Sequence, residues 1–208
     1  MAEQDGGLGG ARDAGGLAAL ISRAAHAGAA LPPVERWDPP DCGAIPMEIR
    51  ADGTWFYNGT PIGRPALVRL FSTVLRREED GRHVLVTPVE KVTIAVEDAP
   101  FLAVEVDASG TGEDRVLTFR TNVGDAVEAG PDHPMRFTGA ADELKPYVRV
   151  RGPADRPLEA LASRPVMYEL VEHGEEIAVD GRAMFALRSR GAVFPVMPMG
   201  DLDRLARG

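Results

Sequence analysis

Ile94-Ala95-Val96-Glu97-Asp98-Ala99-Pro100-Phe101-Leu102-Ala103-Val104 is answered without a gap by Ile177-Ala178-Val179-Asp180-Gly181-Arg182-Ala183-Met184-Phe185-Ala186-Leu187. Upstream, Gly59-Thr60-Pro61-Ile62-Gly63-Arg64-Pro65, followed by Leu67 and Leu70, is echoed by Gly152-Pro153-Ala154-Asp155-Arg156-Pro157, followed by Leu158 and Leu161. Gly124-Asp125 and Gly200-Asp201 close the two copies. Short identities recur by chance, but these keep one order along the chain, with a larger insertion only near Asp107 to Asp114. Self-similarity of this kind points to a unit that buries its apolar face against a neighbouring copy. The expected fold is therefore α+β. It has two tandem, duplicated units, each a short helix with an antiparallel β-sheet, packed into one body and preceded by a flexible N-terminal arm.

The expected boundaries are a Gly/Ala/Pro-rich tail and arm at 1–46, a first unit at 47–125, a connecting loop at 126–146 and a second unit at 147–201. In the tail, Gly6 to Gly10 is flexible by composition, and Asp13 is placed to cap a short helix carrying Leu17, Leu20 and Ile21. The arm Leu31-Pro32-Pro33-Val34-Glu35-Arg36-Trp37-Asp38-Pro39-Pro40 is extended. It reads either as a polyproline ligand for a partner domain or, more simply, as a strap laying Val34 and Trp37 on its own chain.

In the first unit, Met47 to Arg50, Thr54 to Tyr57 and Thr60 to Ile62 read as strands. Asp52-Gly53 and Asn58-Gly59 supply the dipeptides of tight hairpin turns. Pro65 suits the first turn of a helix on which Leu67, Leu70, Phe71, Val74 and Leu75 recur at helical spacing, up to Asp80-Gly81. His83 to Val106 alternates as about three strands, broken at Pro88 and at Glu97-Asp98-Ala99-Pro100, and Asp114 to Val123 adds another. In the second unit, Tyr147 to Arg151 reads as a strand and Pro157 to Ser163 as a helix. Val166 to Val171, Ile177 to Val179, Ala183 to Ser189 and Ala192 to Val196 read as strands.

Composition narrows the function classes. The 208 residues carry a formal net charge of −9 with only two lysines, Lys91 and Lys145, so no clustered basic surface serves nucleic acid or an anionic membrane. No apolar run reaches eighteen residues, and the acidic start Met1-Ala2-Glu3-Gln4-Asp5 is unlike a signal peptide, which places the chain in the cytoplasm. The single cysteine, Cys42, has no disulfide partner and is expected to be a small buried residue.

Trp37-Asp38-Pro39-Pro40, Asp52-Gly53-Thr54-Trp55, Leu67 to Phe71, Leu85 to Lys91, Val96 to Phe101 and Thr121-Asn122 together resemble the bacterial domain of unknown function 1285 family, over roughly Pro32 to Pro198. The resemblance implies a soluble bacterial protein with an α+β fold. It brings no catalytic or binding residues with it.

The standard signatures are missing: there is no Walker A loop, no G-x-G-x-x-G after a strand, no G-x-S-x-G elbow, no H-E-x-x-H and no EF-hand loop. The richest polar stretch is Thr121 to Arg136, which gathers Asn122, Asp125, Glu128, Asp132, His133 and Arg136 among glycines and prolines. Carboxylates with a histidine suit acid-base work or a divalent metal, whereas Asp and Asn also simply cap turns. Glu97-Asp98, with Glu90 and His83 nearby, form a second candidate. Arg149 and Arg151, two apart on a strand, form a third, either an anion clamp beside Tyr147 or internal salt-bridge partners. Arg64 and Arg156 read as structural anchors.

Two functional readings follow. The first is a non-catalytic regulatory module binding a small anionic ligand or a protein, with Asn122, Asp125, His133, Arg136, Arg149 and Arg151 as ligand-binding residues. The second is a small, metal-dependent enzyme acting on an anionic metabolite through the 121–136 loop. No cofactor is implied, and self-association through a sheet edge is open to both.

Overall fold

A computed structural model describes residues 31–140 and 143–205, together with Gly16 and Ala19. The expected glycine tail and Asp13-capped helix lie outside these residues, apart from Gly16 and Ala19, which are helical. The described residues contain three sheets and few, short helices, so the expected α+β units of helix plus sheet are corrected to two tandem sheet-rich units. One unit draws on the described part of Met1–Glu48 with Trp55–Ala95, and the other on Ile49–Thr54 with Val96–Gly208.

The first unit is built on strands β1 (Asp41–Ile49), β2 (Trp55–Tyr57), β3 (Thr60–Pro61), β4 (Leu75–Arg77), β5 (His83–Val86) and β6 (Lys91–Val96), in the sheet order β3-β2-β1-β6-β5-β4. Helix α1 (Pro65–Thr73) lies between β3 and β4 in the chain, with proline in its first turn and Phe71 buried. The sequence extends this helix toward Gly81, but it stops at Thr73. Ser72 and Thr73 turn their hydroxyls back onto the carbonyls of Arg69 and Leu70. Leu75–Arg77 then pairs with β5, where Leu75 and Arg76 are buried. Side-chain bonds that compete with the helix ladder, followed by a β-branched Val74, favour the strand. Trp55 stacks on Phe71 with ring centroids 6.2 Å apart, at the centre of a core that includes Met47, Val84 and Ile94.

The arm is docked on this unit. Val34–Arg36 forms a 3-10 turn, and Nη1 of the buried Arg76 donates to the carbonyls of Val34 (2.8 Å) and Trp37 (2.7 Å). Nε of Arg76 donates to Glu78 (2.7 Å), whose other oxygen accepts from Lys91 Nζ (2.9 Å). Burial works against the Glu78 carboxylate, yet the bonds from Lys91 and Arg76 outweigh it and hold the carboxyl below its ordinary range. Cys42 is exposed on β1, contrary to the expectation of burial, because β1 begins at an outer end where its first residues face solvent.

The second unit holds strands β7 (Phe101–Ser109), β8 (Val116–Thr121), β9 (Ala126–Glu128), β10 (Met135–Thr138), β11 (Lys145–Arg151) and β12 (Leu158–Ala162), ordered β10-β11-β12-β7-β8-β9. A three-stranded meander adds β13 (Glu175–Val179), β14 (Arg182–Ser189) and β15 (Ala192–Pro198). Helices α2 (Arg164–Glu172) and α3 (Met199–Leu205) complete it.

Here the sequence reading is inverted twice. Pro157 to Ser163, expected as a helix, contains β12, which lies between β11 and β7 with Leu158 and Ala160 buried. Leu, Glu and Ala prefer helix by intrinsic propensity, but that preference is worth tenths of a kcal/mol per residue and two flanking ladders override it. Val166 to Val171, expected as a strand, lies in α2, where Val166 and Leu170 bury at i and i+4 behind Pro165. The repeat therefore fails in the proposed register: Arg156-Pro157 opens a strand where Arg64-Pro65 opens a helix. Likewise Ile94 to Val104 passes from one sheet to another, while Ile177 to Leu187 is a single hairpin.

Two predictions follow from the first unit. Arg76→Ala leaves two carbonyls and the Glu78–Lys91 pair short of a buried donor, and should lower unfolding stability by about 3 kcal/mol in urea titrations. His83, mostly buried and opposite Arg77, has its imidazole pushed down to about 4 from an ordinary 6.5, by desolvation first and by the Arg77 charge second. The neutral ring is the folded form, so the contribution is complete above pH 6.5 and is lost as pH falls toward 4. Between those limits wild-type stability should drop by about 3 kcal/mol more than that of His83→Gln.

Candidate functional site

Gly130, Pro131, Asp132 and His133 turn the chain between the edge strands β9 and β10, with Gly130 N–H donating to the His133 carbonyl at 3.1 Å. Beside this turn is an open depression of about 390 Å³, lined by Ala126, Glu128, Gly130, Asp132, His133 and Arg190, with Val127 and Pro131 completing the wall. His133 Nδ1 lies 3.0 Å from the Arg149 carbonyl. A carbonyl only accepts, so Nδ1 carries the proton there and Nε2 is the ring nitrogen left for other work.

Arg190 comes from a different element, the turn between β14 and β15. Its φ of 49° is left-handed, a region that non-glycine residues seldom occupy. The equivalent turns elsewhere are Asn58-Gly59 and Asp180-Gly181, whose first residues tolerate that region; here the pair is Arg190-Gly191. The arginine is held nonetheless. Its N–H donates to the Arg115 carbonyl at 2.8 Å, and its stem lies along Gly130, where an added Cβ would come 3.2 Å from Arg190 Cβ. Its guanidinium is ion-paired with Glu128, both side chains being about half exposed.

Of the polar residues gathered from the 121–136 stretch, Glu128, Asp132 and His133 line this depression; of the six named as ligand-binding, only His133 does. Asn122 is a clamp: its Nδ2 donates to the Gly53 carbonyl (3.1 Å) and its Oδ1 accepts from Leu102 N–H (3.1 Å). Asp125 closes the turn after β8 and accepts from Arg151 Nη2 at 2.8 Å, while Arg151 also covers the Phe101 ring. Arg136 forms a bidentate pair with Glu159, both bonds at 2.6 Å, and stacks 3.9 Å from the Tyr147 ring centroid. Arg149 is turned to the Gly152 carbonyl. The β11–β12 register shifts between Arg149 and Arg151, so a spacing of two no longer continues one ladder face.

The second candidate pair is also engaged. Glu97 accepts from Ala51 N–H at 2.9 Å, and Asp98 accepts from Lys145 Nζ and from Tyr147 OH, each at 2.7 Å. Burial disfavours the Asp98 carboxylate, but the two donors overcome it and the carboxyl lies below its usual range. Burial and the Asp98 charge push the Tyr147 phenol up. Among the described residues no three His, Cys, Asp or Glu side chains are placed to hold a metal ion.

Arg190 was missed by the sequence reading, although its signal is in the sequence. Xaa-Gly between two alternating strands marks a two-residue hairpin, and an arginine in place of Asn or Asp gives up local stability. Arg190→Asn should therefore unfold at the wild-type temperature or above, since the exposed ion pair it removes is worth no more than about 1 kcal/mol. A clear loss of thermal stability in calorimetry would show instead that the guanidinium holds the turn.

Residues 32–99 match the family model "Domain of unknown function (DUF1285), N-terminal domain", and residues 100–196 match the corresponding C-terminal domain. The crystal structure of a DUF1285 family protein from Silicibacter pomeroyi DSS-3 is similar over 93% of this chain and 100% of that one, with 47% identity and a TM-score of 0.81. That of a DUF1285 family protein from Shewanella baltica OS155 shares 28% identity over 62% of this chain and 91% of that one, with a TM-score of 0.46. No curated protein matches. With both family models matched across most of its length, the chain belongs to the DUF1285 family.

Proposed function

We propose that this protein is a non-catalytic, small-ligand-binding module whose site is the depression at His133 and Arg190. The observation that carries the reading is convergence: a cation, a histidine and two carboxylates from separate elements meet at one open concavity. The lining includes no serine, threonine, cysteine or tyrosine, so it offers donors, acceptors and charge but no hydroxyl or thiol nucleophile. The arginines proposed from sequence pair with Glu159, with the Gly152 carbonyl and with Asp125 and do not line the depression, whereas Arg190 does. A protein partner recruited through the N-terminal arm is less favoured, because Arg76 already holds the carbonyls of Val34 and Trp37.

The test is thermal unfolding against the twenty L-amino acids, nucleotides, inorganic phosphate and di- and tricarboxylates, comparing wild type with Ala126→Trp. Ala126 is exposed on β9, so the indole fills the depression without entering the core. A ligand at one hundred times its Kd contributes about 2.7 kcal/mol, or roughly 5 to 10 °C for a chain of this size. Wild type should show such a shift for at least one compound and Ala126→Trp should not. Equal shifts in both proteins, or none in wild type, would refute the site.

A further inference from the structure

The lining has a charge pattern of its own. Arg190 is its one arginine, Glu128 and Asp132 are its two carboxylates, and Glu128 occupies Arg190 in the resting structure. A guanidinium fork matches a carboxylate in two parallel hydrogen bonds. The Arg190–Glu128 pair is half exposed, and such pairs contribute little, so an incoming carboxylate can replace Glu128 at small cost. Once displaced, Glu128 joins Asp132 as a second uncompensated carboxylate beside the newly bound group. A phosphate dianion would meet both of them as repulsion. A molecule with one carboxylate and one ammonium close together would satisfy all three charges.

Building on the site reading above, we propose that the depression takes a free α-amino acid as its zwitterion. The ligand carboxylate sits on Arg190, and its ammonium faces Glu128 and Asp132. The left-handed turn, the Arg115 carbonyl and the glycine under the arginine stem keep Arg190 over the depression whichever carboxylate it holds. Pro131, Val127 and Ala126 supply the apolar wall for a side chain.

The experiment is ¹⁵N NMR titration of the full chain with each of the twenty L-amino acids. For any that binds, its N-acetyl derivative, its carboxamide and inorganic phosphate are titrated in turn. At least one amino acid should move the resonances of residues 126–133 and 189–191, and bind at least tenfold tighter than its N-acetyl or carboxamide analogue. Arg190→Asn, which keeps the turn, should weaken the amino acid and the N-acetyl analogue at least tenfold. Glu128→Gln with Asp132→Asn should bring the ratio between those two ligands close to one. If phosphate or the N-acetyl analogue binds there as tightly as the amino acid, the zwitterion assignment falls while the site stands. If amino acids bind but Arg190→Asn has no effect, the assignment to Arg190 falls. If none of the twenty binds at 10 mM, the proposal is overturned, and the wider panel with Ala126→Trp decides separately whether the depression binds anything.

Discussion

The hydroxyl of Ser189 is fully buried, and the candidate site depends on it. It donates to the Ala129 carbonyl at 2.7 Å and accepts from Leu117 N–H at 2.9 Å, joining the end of β14 to β8 and to the exit of β9. A buried polar atom with both roles filled has one favourable position, because any displacement strands a donor or an acceptor away from water. The next residue is Arg190 and the residue after Ala129 is Gly130, so a single hydroxyl fixes the arginine and the glycine beneath it. Arg115, whose carbonyl receives Arg190 N–H, also donates to the His173 carbonyl at the end of α2. The depression is thus bordered by chain segments that are held from behind.

The sequence showed where the chain turns better than what it does between turns. Asp52-Gly53 and Asn58-Gly59 sit at turns between strands as expected, and the strands Tyr147 to Arg151, Ala183 to Ser189 and Ala192 to Val196 fall within those observed. The exchange of helix and strand at 157–172 has a definite cause. Leu158-Glu159-Ala160-Leu161-Ala162 fits a helix by composition, and its place between β11 and β7 is decided by partners distant in sequence. The family resemblance, densest from Leu85 to Phe101, was readable from the residues alone. The site was legible in part. Glu128, Asp132 and His133 stood out by chemistry in a polar segment, but Arg190 lies 57 positions beyond His133 and reaches them through contacts distant in sequence, among them the Ser189 hydroxyl on the Ala129 carbonyl and the Arg190 N–H on the Arg115 carbonyl.

In this acidic chain with few lysines, several arginines fasten one segment to another. Arg76 gathers the arm, Arg115 closes the end of α2, Arg136 covers Tyr147 while pairing with Glu159, and Arg151 covers Phe101 while pairing with Asp125. In Arg76, Arg136 and Arg151 the planar guanidinium does two jobs, pairing along its edge and packing on a face or gathering carbonyls, which a lysine ammonium would do less well. Arg190 differs in its backbone conformation, which favours other residues, and in lying beside a concavity.

The turn 49–54 gives the second unit an unusual order of assembly. Its Gly53 carbonyl waits for the amide of Asn122, 69 residues further on, and its Ala51 N–H waits for Glu97, 46 residues on. A ribosome releases the turn early and its partners late, so this part of the unit cannot close as its own residues emerge. Loop closure over such distances is slow and entropically costly compared with the local hairpins around it. For the same reason a cut between residues 99 and 100, where the two family models meet, would part the turn from Asn122 and leave that amide without the carbonyl it clasps.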